Sequence, residues 1–141
     1  MLNMRNSIAG ATFNYRAVFV TRDLGQTWQP HETNLNTLIE SPCNASLLRA
    51  DYQERGANKH VLLFANPHSK VKGQRTNQTI QVSFDDGRTW PQEYHVLLDQ
   101  GYGWGYPSLT RIDDQHIGIV YCGSQADLVF QVLSLEELLR H

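Results

Sequence analysis

Ser83-Phe84-Asp85-Asp86-Gly87-Arg88-Thr89-Trp90 decides how this chain is read, because a near copy stands earlier as Thr21-Arg22-Asp23-Leu24-Gly25-Gln26-Thr27-Trp28. Both fit Ser/Thr-x-Asp-x-Gly-x-Thr-Trp. In such a stretch the acid can accept hydrogen bonds from turn amides, glycine supplies a positive φ, and tryptophan can pack beneath the turn. Each copy follows an alternating apolar run, Ala17 to Phe19 or Ile80 to Val82, so each turn ends one strand and starts the next. Aligned at Asp23 and Asp85, the copies lie about 60 residues apart, the spacing of a repeated sheet unit with an insertion. The repeat is therefore read as a structural clasp, and chemistry has to be sought elsewhere.

Outward from the two turns, strands are expected at 1–6, 15–21, 46–50, 60–65, 79–84, 94–98, 106–112, 117–121 and 128–133. Residues 31–42 read as a polar loop, 51–59 as the polar link of a hairpin, and 66–74 as a surface excursion carrying Lys70 and Lys72, with Arg75 just beyond. Gly101-Tyr102-Gly103-Trp104-Gly105 can take unusual backbone angles while its rings line something. A short helix is expected over 135–140, with Ser134 as N-cap and Glu137 three residues on. These strands fall into groups of up to four, around 1–35, 44–100 and 104–134, or two to three propeller blades at roughly 40–50 residues each. The fold class expected is all-β: a partial six-bladed β-propeller of antiparallel blades with a short C-terminal helix. A partial ring leaves two open sheet edges available for pairing.

Composition bounds the function. The 141 residues are 40% apolar and 10% aromatic, enough for a real core. A formal net charge of −2 with scattered Lys and Arg argues against a nucleic-acid partner. Cys43 and Cys122 form no Cys-x-x-Cys and have no histidine at ligand spacing, so two free thiols and no metal site are expected. The six histidines, His141 among them, read as surface or turn residues. No apolar run approaches the roughly 20 residues of a membrane span. No cofactor is implied.

Four passages, with the paired turns, resemble the Asp-box sialidases, specifically the C-terminal half of a bacterial exo-α-sialidase, over nearly the whole chain. Leu2-Asn3-Met4-Arg5-Asn6 is similar to the family strand bearing the second arginine of a substrate-carboxylate triad. Ser41-Pro42-Cys43-Asn44-Ala45-Ser46-Leu47 resembles the family's Asp-Pro-x-Cys-x-x-Ser strand opening. Phe64-Ala65-Asn66-Pro67 with Arg75-Thr76-Asn77-Gln78-Thr79 resembles the passage with the third arginine. Gly103-Trp104-Gly105-Tyr106-Pro107-Ser108-Leu109-Thr110 resembles the segment with the nucleophilic tyrosine, and it is the most specific of the four.

The resemblance implies a glycosidase that releases terminal sialic acids from glycoconjugates, with sialic acid or a sialylated glycan as partner. Tyr106 would be the catalytic nucleophile, Arg5 and Arg75 would grip the sugar carboxylate, and Trp104, with Tyr102, would meet sugar faces near the pocket. The residue types suit the chemistry. A planar guanidinium holds a carboxylate bidentately, and a neutral phenol approaches an anionic sugar without the repulsion a carboxylate would suffer. A tyrosine nucleophile is the known sialidase exception to the paired-carboxylate rule, and it leads to net retention. By the same resemblance the glutamate that activates the tyrosine, the first arginine and the aspartate acid/base would stand ahead of Met1, so the chain alone is expected to be inactive. Where the family has a glutamate after Val120-Tyr121, this chain has Cys122, which leaves a non-catalytic glycan-binding or protein-interaction module as the alternative. The parent protein would be secreted or periplasmic.

Overall fold

The computed structural model describes residues 1–6, 14–71 and 73–140, so Lys72 and His141 lie outside the described residues. Secondary structure is nearly all β. The first sheet orders β1 (Leu2–Met4), β3 (Ala17–Val20) and β4 (Gln29–Pro30) side by side, all antiparallel. Two short strands, β2 (Asn14–Tyr15) and β5 (Ile39–Glu40), pair beside it. A four-stranded meander follows: β6 (Ser46–Glu54), β7 (Ala57–Pro67), β8 (Gln78–Ser83) and β9 (His95–Asp99). A last meander of β10 (Gly105–Arg111), β11 (His116–Cys122) and β12 (Val129–Ser134) leads into the single turn of α1 (Leu135–Leu138). There Ser134 Oγ accepts the Glu137 N–H, as the capping pattern predicts, although the helix ends short of the expected Arg140.

The core lies between the two meanders. Ala50, Val61, Leu63, Ala65, Ile80 and Val82 on one face meet Leu109, Ile117, Ile119 and Tyr121, with Leu135 and Leu138 of α1 closing the end. Fully burying each such side chain stabilises by about 1.5–3 kcal/mol. The opposite face of the first meander is also covered: the Phe64 ring meets Trp90 edge-on at 5.9 Å, and Asn66 Nδ2 donates to the Ile39 carbonyl at 2.7 Å. That double burial explains β8, whose six residues are all buried. Its Gln81 is tolerated inside because it donates to Asn66 Oδ1 at 3.3 Å.

The two repeated turns share one hydrogen-bond pattern. Asp85 Oδ1 accepts from the Thr89 N–H at 2.9 Å and from Ser83 Oγ at 2.8 Å, while Oδ2 accepts from Thr89 Oγ1 at 2.7 Å. Asp23 repeats this with Thr27 N–H at 2.9 Å, Thr21 Oγ1 at 2.7 Å and Thr27 Oγ1 at 2.6 Å. In each, the indole N–H of Trp28 or Trp90 donates to the glycine carbonyl at 3.1 Å. The left-handed backbone spans two residues, Leu24 then Gly25 (φ 57° and 93°) and Asp86 then Gly87 (φ 60° and 84°), one more than the glycine alone suggests.

Several expected boundaries are corrected. The run 15–21 is two strands broken at Arg16, because Arg16 turns its side chain inward and its N–H goes to the Leu38 carbonyl at 2.8 Å instead of a neighbouring strand. The supposed polar loop 31–42 contains β5 and buries Thr33, Leu38, Glu40 and Ser41, since it is hydrogen-bonded along Arg16 and Val18 and to Asn66 of β7. The polar link 51–59 is mostly strand: β6 and β7 pair down to Glu54 opposite Ala57, and Arg55 and Gly56 (φ 50° and 79°) form the two-residue turn. Polarity there reflects a solvent-facing hairpin tip. Residues 66 and 67 likewise belong to β7, and the loop begins at His68.

Acid should weaken this fold in two stages. His68 packs edge-on to His95 at 5.2 Å and is held down to about 4, by burial first and then by the His95 and Lys70 charges. A histidine with a lowered folded value makes stability fall as pH drops from its ordinary 6.5 to about 4. Asp23 is held at about 2, chiefly by the Thr27 hydroxyl, so its contribution is present above its ordinary 3.8 and lost as pH falls to about 2. Asp85 is also lowered, its Thr89 and Ser83 bonds outweighing a burial effect that acts the other way. Urea unfolding followed by tryptophan fluorescence should show stability declining in both windows. Asp85→Asn should cost about 1–3 kcal/mol at pH 7 and flatten part of the lower window.

Candidate active site

Tyr106, the second residue of β10, lies out of register. Gly105 pairs with Cys122, but regular pairing resumes only at Ser108 with Val120, and the intervening bulge gives Tyr106 a φ of 50°. A non-glycine residue in the left-handed region is a strained conformation of the kind that collects at functional sites. The ring stays 42% exposed. The glycines before it permit this path. A Cβ on Gly103 would fall 2.5 Å from the Cys122 carbonyl oxygen, and one on Gly105 would fall 2.7 Å from Pro67 Cγ. The aromatic loop is thus pressed against the loop after β11, and Asp99 pins both by accepting from the Gly101 N–H at 2.9 Å and from Ser124 N–H and Oγ at 2.7 Å.

Arg75 and Trp104 meet Tyr106. The Arg75 guanidinium lies 5.0 Å from the centroid of the Tyr106 ring and 5.8 Å from that of Trp104. Its Nη1 donates to the Trp104 carbonyl at 3.0 Å and its Nη2 to the Pro42 carbonyl at 2.7 Å, which fixes the fork. Burial works against the Arg75 charge, but the Tyr106 phenol and the Cys43 thiol outweigh it and raise the guanidinium above its usual value. Tyr102 stands edge-on to Trp104 at 6.4 Å, so two exposed rings and a cation form one shelf.

Arg5 lies just beyond β1, and its charge is the weakest of the influences on Cys43 and Arg16. Arg75, Trp104 and Tyr106 thus meet around Cys43. The thiol, expected only as a small buried apolar group, is buried but donates to the Trp104 carbonyl at 3.4 Å and accepts the Tyr106 N–H at 3.3 Å. Burial pushes it up, so it remains a thiol and keeps its hydrogen.

Two residues that sequence reasoning missed support this centre. Arg16 and Glu40 form an ion pair whose side chains are 3% and 0% exposed. Arg16 also donates to Asn3 Oδ1 at 2.6 Å and to the Cys43 carbonyl at 3.1 Å, and it lies 5.7 Å over the Phe64 ring. Glu40 accepts the Cys43 N–H at 3.2 Å. Burial raises Glu40 and lowers Arg16, each against the pull of its partner, and arginine does not deprotonate in proteins. A signal was present: the acid of Asp-Pro-x-Cys stands three residues before the cysteine, and here that residue is Glu40, not Ser41. Clefts elsewhere are lined by groups already paired, such as Arg88 with Glu32 and Arg111 with Asp114 at 3.0 Å, and contain neither Arg75 nor Tyr106. Among the described residues no cluster of His, Cys, Asp and Glu could hold a metal, and no helix is long and apolar enough to cross a membrane.

No family model matches the chain. A sialidase of Bacteroides fragilis (strain YCH46) is 43% identical over 140 residues, 99% of this chain and 25% of that protein. The chain is homologous to a segment of the sialidases. A Micromonospora viridifaciens sialidase is 35% identical over 123 residues, covering 86% of this chain and 18% of its own length. Among solved structures, the Hadza microbial sialidase Hz136 superposes with a TM-score of 0.82 at 42% identity, covering 96% of this chain and 25% of that one. This sialidase homologue thus spans about a quarter of the length of the first relatives it matches. The all-β fold expected from the strand pattern is the fold of the solved relative.

Leaving one member of the buried pair alone should be costly. Arg16→Met or Glu40→Leu singly should destabilise by about 3–5 kcal/mol, and the double variant should recover most of that loss. Denaturant titration of the four proteins gives the coupling directly.

Proposed function

We propose that this chain is the C-terminal part of an exo-α-sialidase of the retaining, tyrosine-nucleophile kind, acting on terminal sialic acids of glycoconjugates. Its three larger sheets, spanning Leu2–Pro30, Ser46–Asp99 and Gly105–Ser134, would be neighbouring blades of a six-bladed propeller. The observation that carries the reading is the Arg75 guanidinium set 5.0 Å over the ring of a strained, half-exposed Tyr106.

Arg5 and Arg75 would hold the carboxylate beside the anomeric carbon, and a pair of cations there also favours the negative charge carried by the sugar through the reaction. Tyr106 Oη attacks the anomeric carbon and the bond to the leaving oxygen breaks. Water then attacks the sialyl-tyrosine from the opposite direction, and two inversions give retention. A phenol with an ordinary value near 10 needs a base for the first step. The described residues bring no carboxylate against the Tyr106 hydroxyl, so the base, the acid and the first arginine would come from the remaining part of the enzyme. Trp104 would stack on a sugar face at the rim.

One observation favours a second reading. Cys122 lies directly across from Gly105, beside Tyr106, at the place where the family pattern has a glutamate, and a thiol forms no ion pair with an arginine. On that reading the sheets bind a sialylated glycan or a protein without turnover.

Residues 1–141 alone should release no fluorophore from a fluorogenic sialoside. A chimera of the Bacteroides fragilis sialidase with its matched quarter replaced by this chain should release it. In the chimera, Tyr106→Phe should reduce kcat by at least about 10³-fold, Arg75→Lys should raise KM and lower kcat/KM by about 10²-fold, and Trp104→Ala should act mainly on KM. A folded chimera that binds sialyllactose without hydrolysing it would establish the second reading instead.

A further inference from the structure

Pro42 and Cys43 spend their polar atoms on the site. The Pro42 carbonyl accepts from Arg75 Nη2 at 2.7 Å. The Cys43 N–H goes to Glu40 Oε1 at 3.2 Å, and its carbonyl accepts from Arg16 Nη1 at 3.1 Å. Its thiol accepts the Tyr106 N–H at 3.3 Å and donates to the Trp104 carbonyl at 3.4 Å. That carbonyl is the one that also receives Arg75 Nη1, at 3.0 Å. Three segments far apart in the chain, the region of the first sheet, the loop before β8 and the start of β10, are joined through two residues.

The Tyr106 N–H has no place in the sheet ladder, because the bulge between Gly105 and Ser108 removes its strand partner. Without the sulfur, the Tyr106 N–H would lose its acceptor in a strained residue, which favours relaxing φ out of the left-handed region. The sulfur also fills the space beneath the bulge: a Cβ on Gly105 would approach it to 2.9 Å. Such a relaxation would swing the phenol while leaving the chain folded, since the core between the two meanders does not include Cys43.

We infer that Glu40 to Cys43 is a positioning strut that sets the backbone of Tyr106, and with it the aim of the phenol, from the side of the molecule that carries Arg5. Cys43 is a positioning residue, not a nucleophile or a ligand. This rests on Tyr106 being the attacking group.

The test uses the chimera described above. Cys43→Ala should lower kcat about 10–100-fold with KM changed less than about three-fold, because an aiming error of about 1 Å costs that much while the carboxylate grip stays. Cys43→Ser, which can still accept and donate, should stay within about five-fold of the parent kcat. Cys43→Val supplies apolar bulk without hydrogen bonding to the bulge and should behave as Ala does, which serves if the Ala protein does not fold. Peptide-resolved hydrogen exchange should find the Tyr106 amide protected in the parent and the Ser variant and released in Ala or Val. An Ala or Val variant with parent kcat, a Ser variant no better than Ala, or an unprotected Tyr106 amide in the parent would each overturn the strut. Tyr106→Phe run beside them separates the two readings. If it retains activity, the nucleophile assignment fails; if it is dead while Cys43→Ala is unaffected, only the strut fails.

Discussion

The buried contact between Arg16 and Glu40 is the constraint on which the arrangement of the remaining parts depends. Two opposite charges withdrawn from water are costly, and the cost is offset only where every donor and lone pair finds a partner. Here they do. Arg16 uses its fork on Asn3, Glu40 and the Cys43 carbonyl, and its face lies over Phe64. Because a charge left alone in that place would be far more costly than a lost apolar contact, β1, β5 and the turn before β6 have little freedom to shift against one another. Hydrophobic contact tolerates sliding; a guanidinium fork does not.

From that anchor the geometry passes outward through Cys43. The chain does not build its candidate centre on one sheet. Arg5 follows β1, Arg75 stands in the loop before β8, and Tyr106 is the second residue of β10. Each would be free to drift if held only by its own meander. The Pro42 carbonyl and the Cys43 thiol remove that freedom for Arg75 and Tyr106, while the Asp99 carboxylate holds the aromatic loop from its other side. The apolar core between the meanders supplies stability, and the polar seam on the other side supplies aim. The proposed site for an anionic sugar would need both, since charge can be presented accurately only from a backbone that does not yield.

The two Asp-x-Gly-x-Thr-Trp turns play a different part. Their carboxylates, hydroxyls and indoles satisfy one another locally, and the same pattern recurs at Asp23 and Asp85 without reference to anything distant. They close hairpins at the far end of strands from the tyrosine. Their value lies in fixing register: a one-residue slip in β8 would turn Ile80 and Val82 out of the core and Gln81 into it.

Local chemistry made much of this legible in the sequence. The paired Asp-Gly-Thr-Trp turns, the alternating runs of β10 to β12 and the Ser134 cap each specify their structure within a few residues, and each stands as the pattern indicates. Tyr106, Arg75 and Trp104 could be singled out because an unusual Gly-Trp-Gly-Tyr-Pro run and an arginine after Asn66-Pro67 resemble a known order of residues. The burial of Arg16 and Glu40 was not legible. Propensity places a charged residue in a strand or loop on the surface, and only contacts between segments 24 residues apart in the chain, together with Asn3, provide the partners that let the charges sit inside. For the same reason Cys43 read as a small apolar side chain. Its two hydrogen bonds run to residues more than 60 positions away, and a relation of that range is set by how sheets pack, not by anything its neighbours in sequence can express.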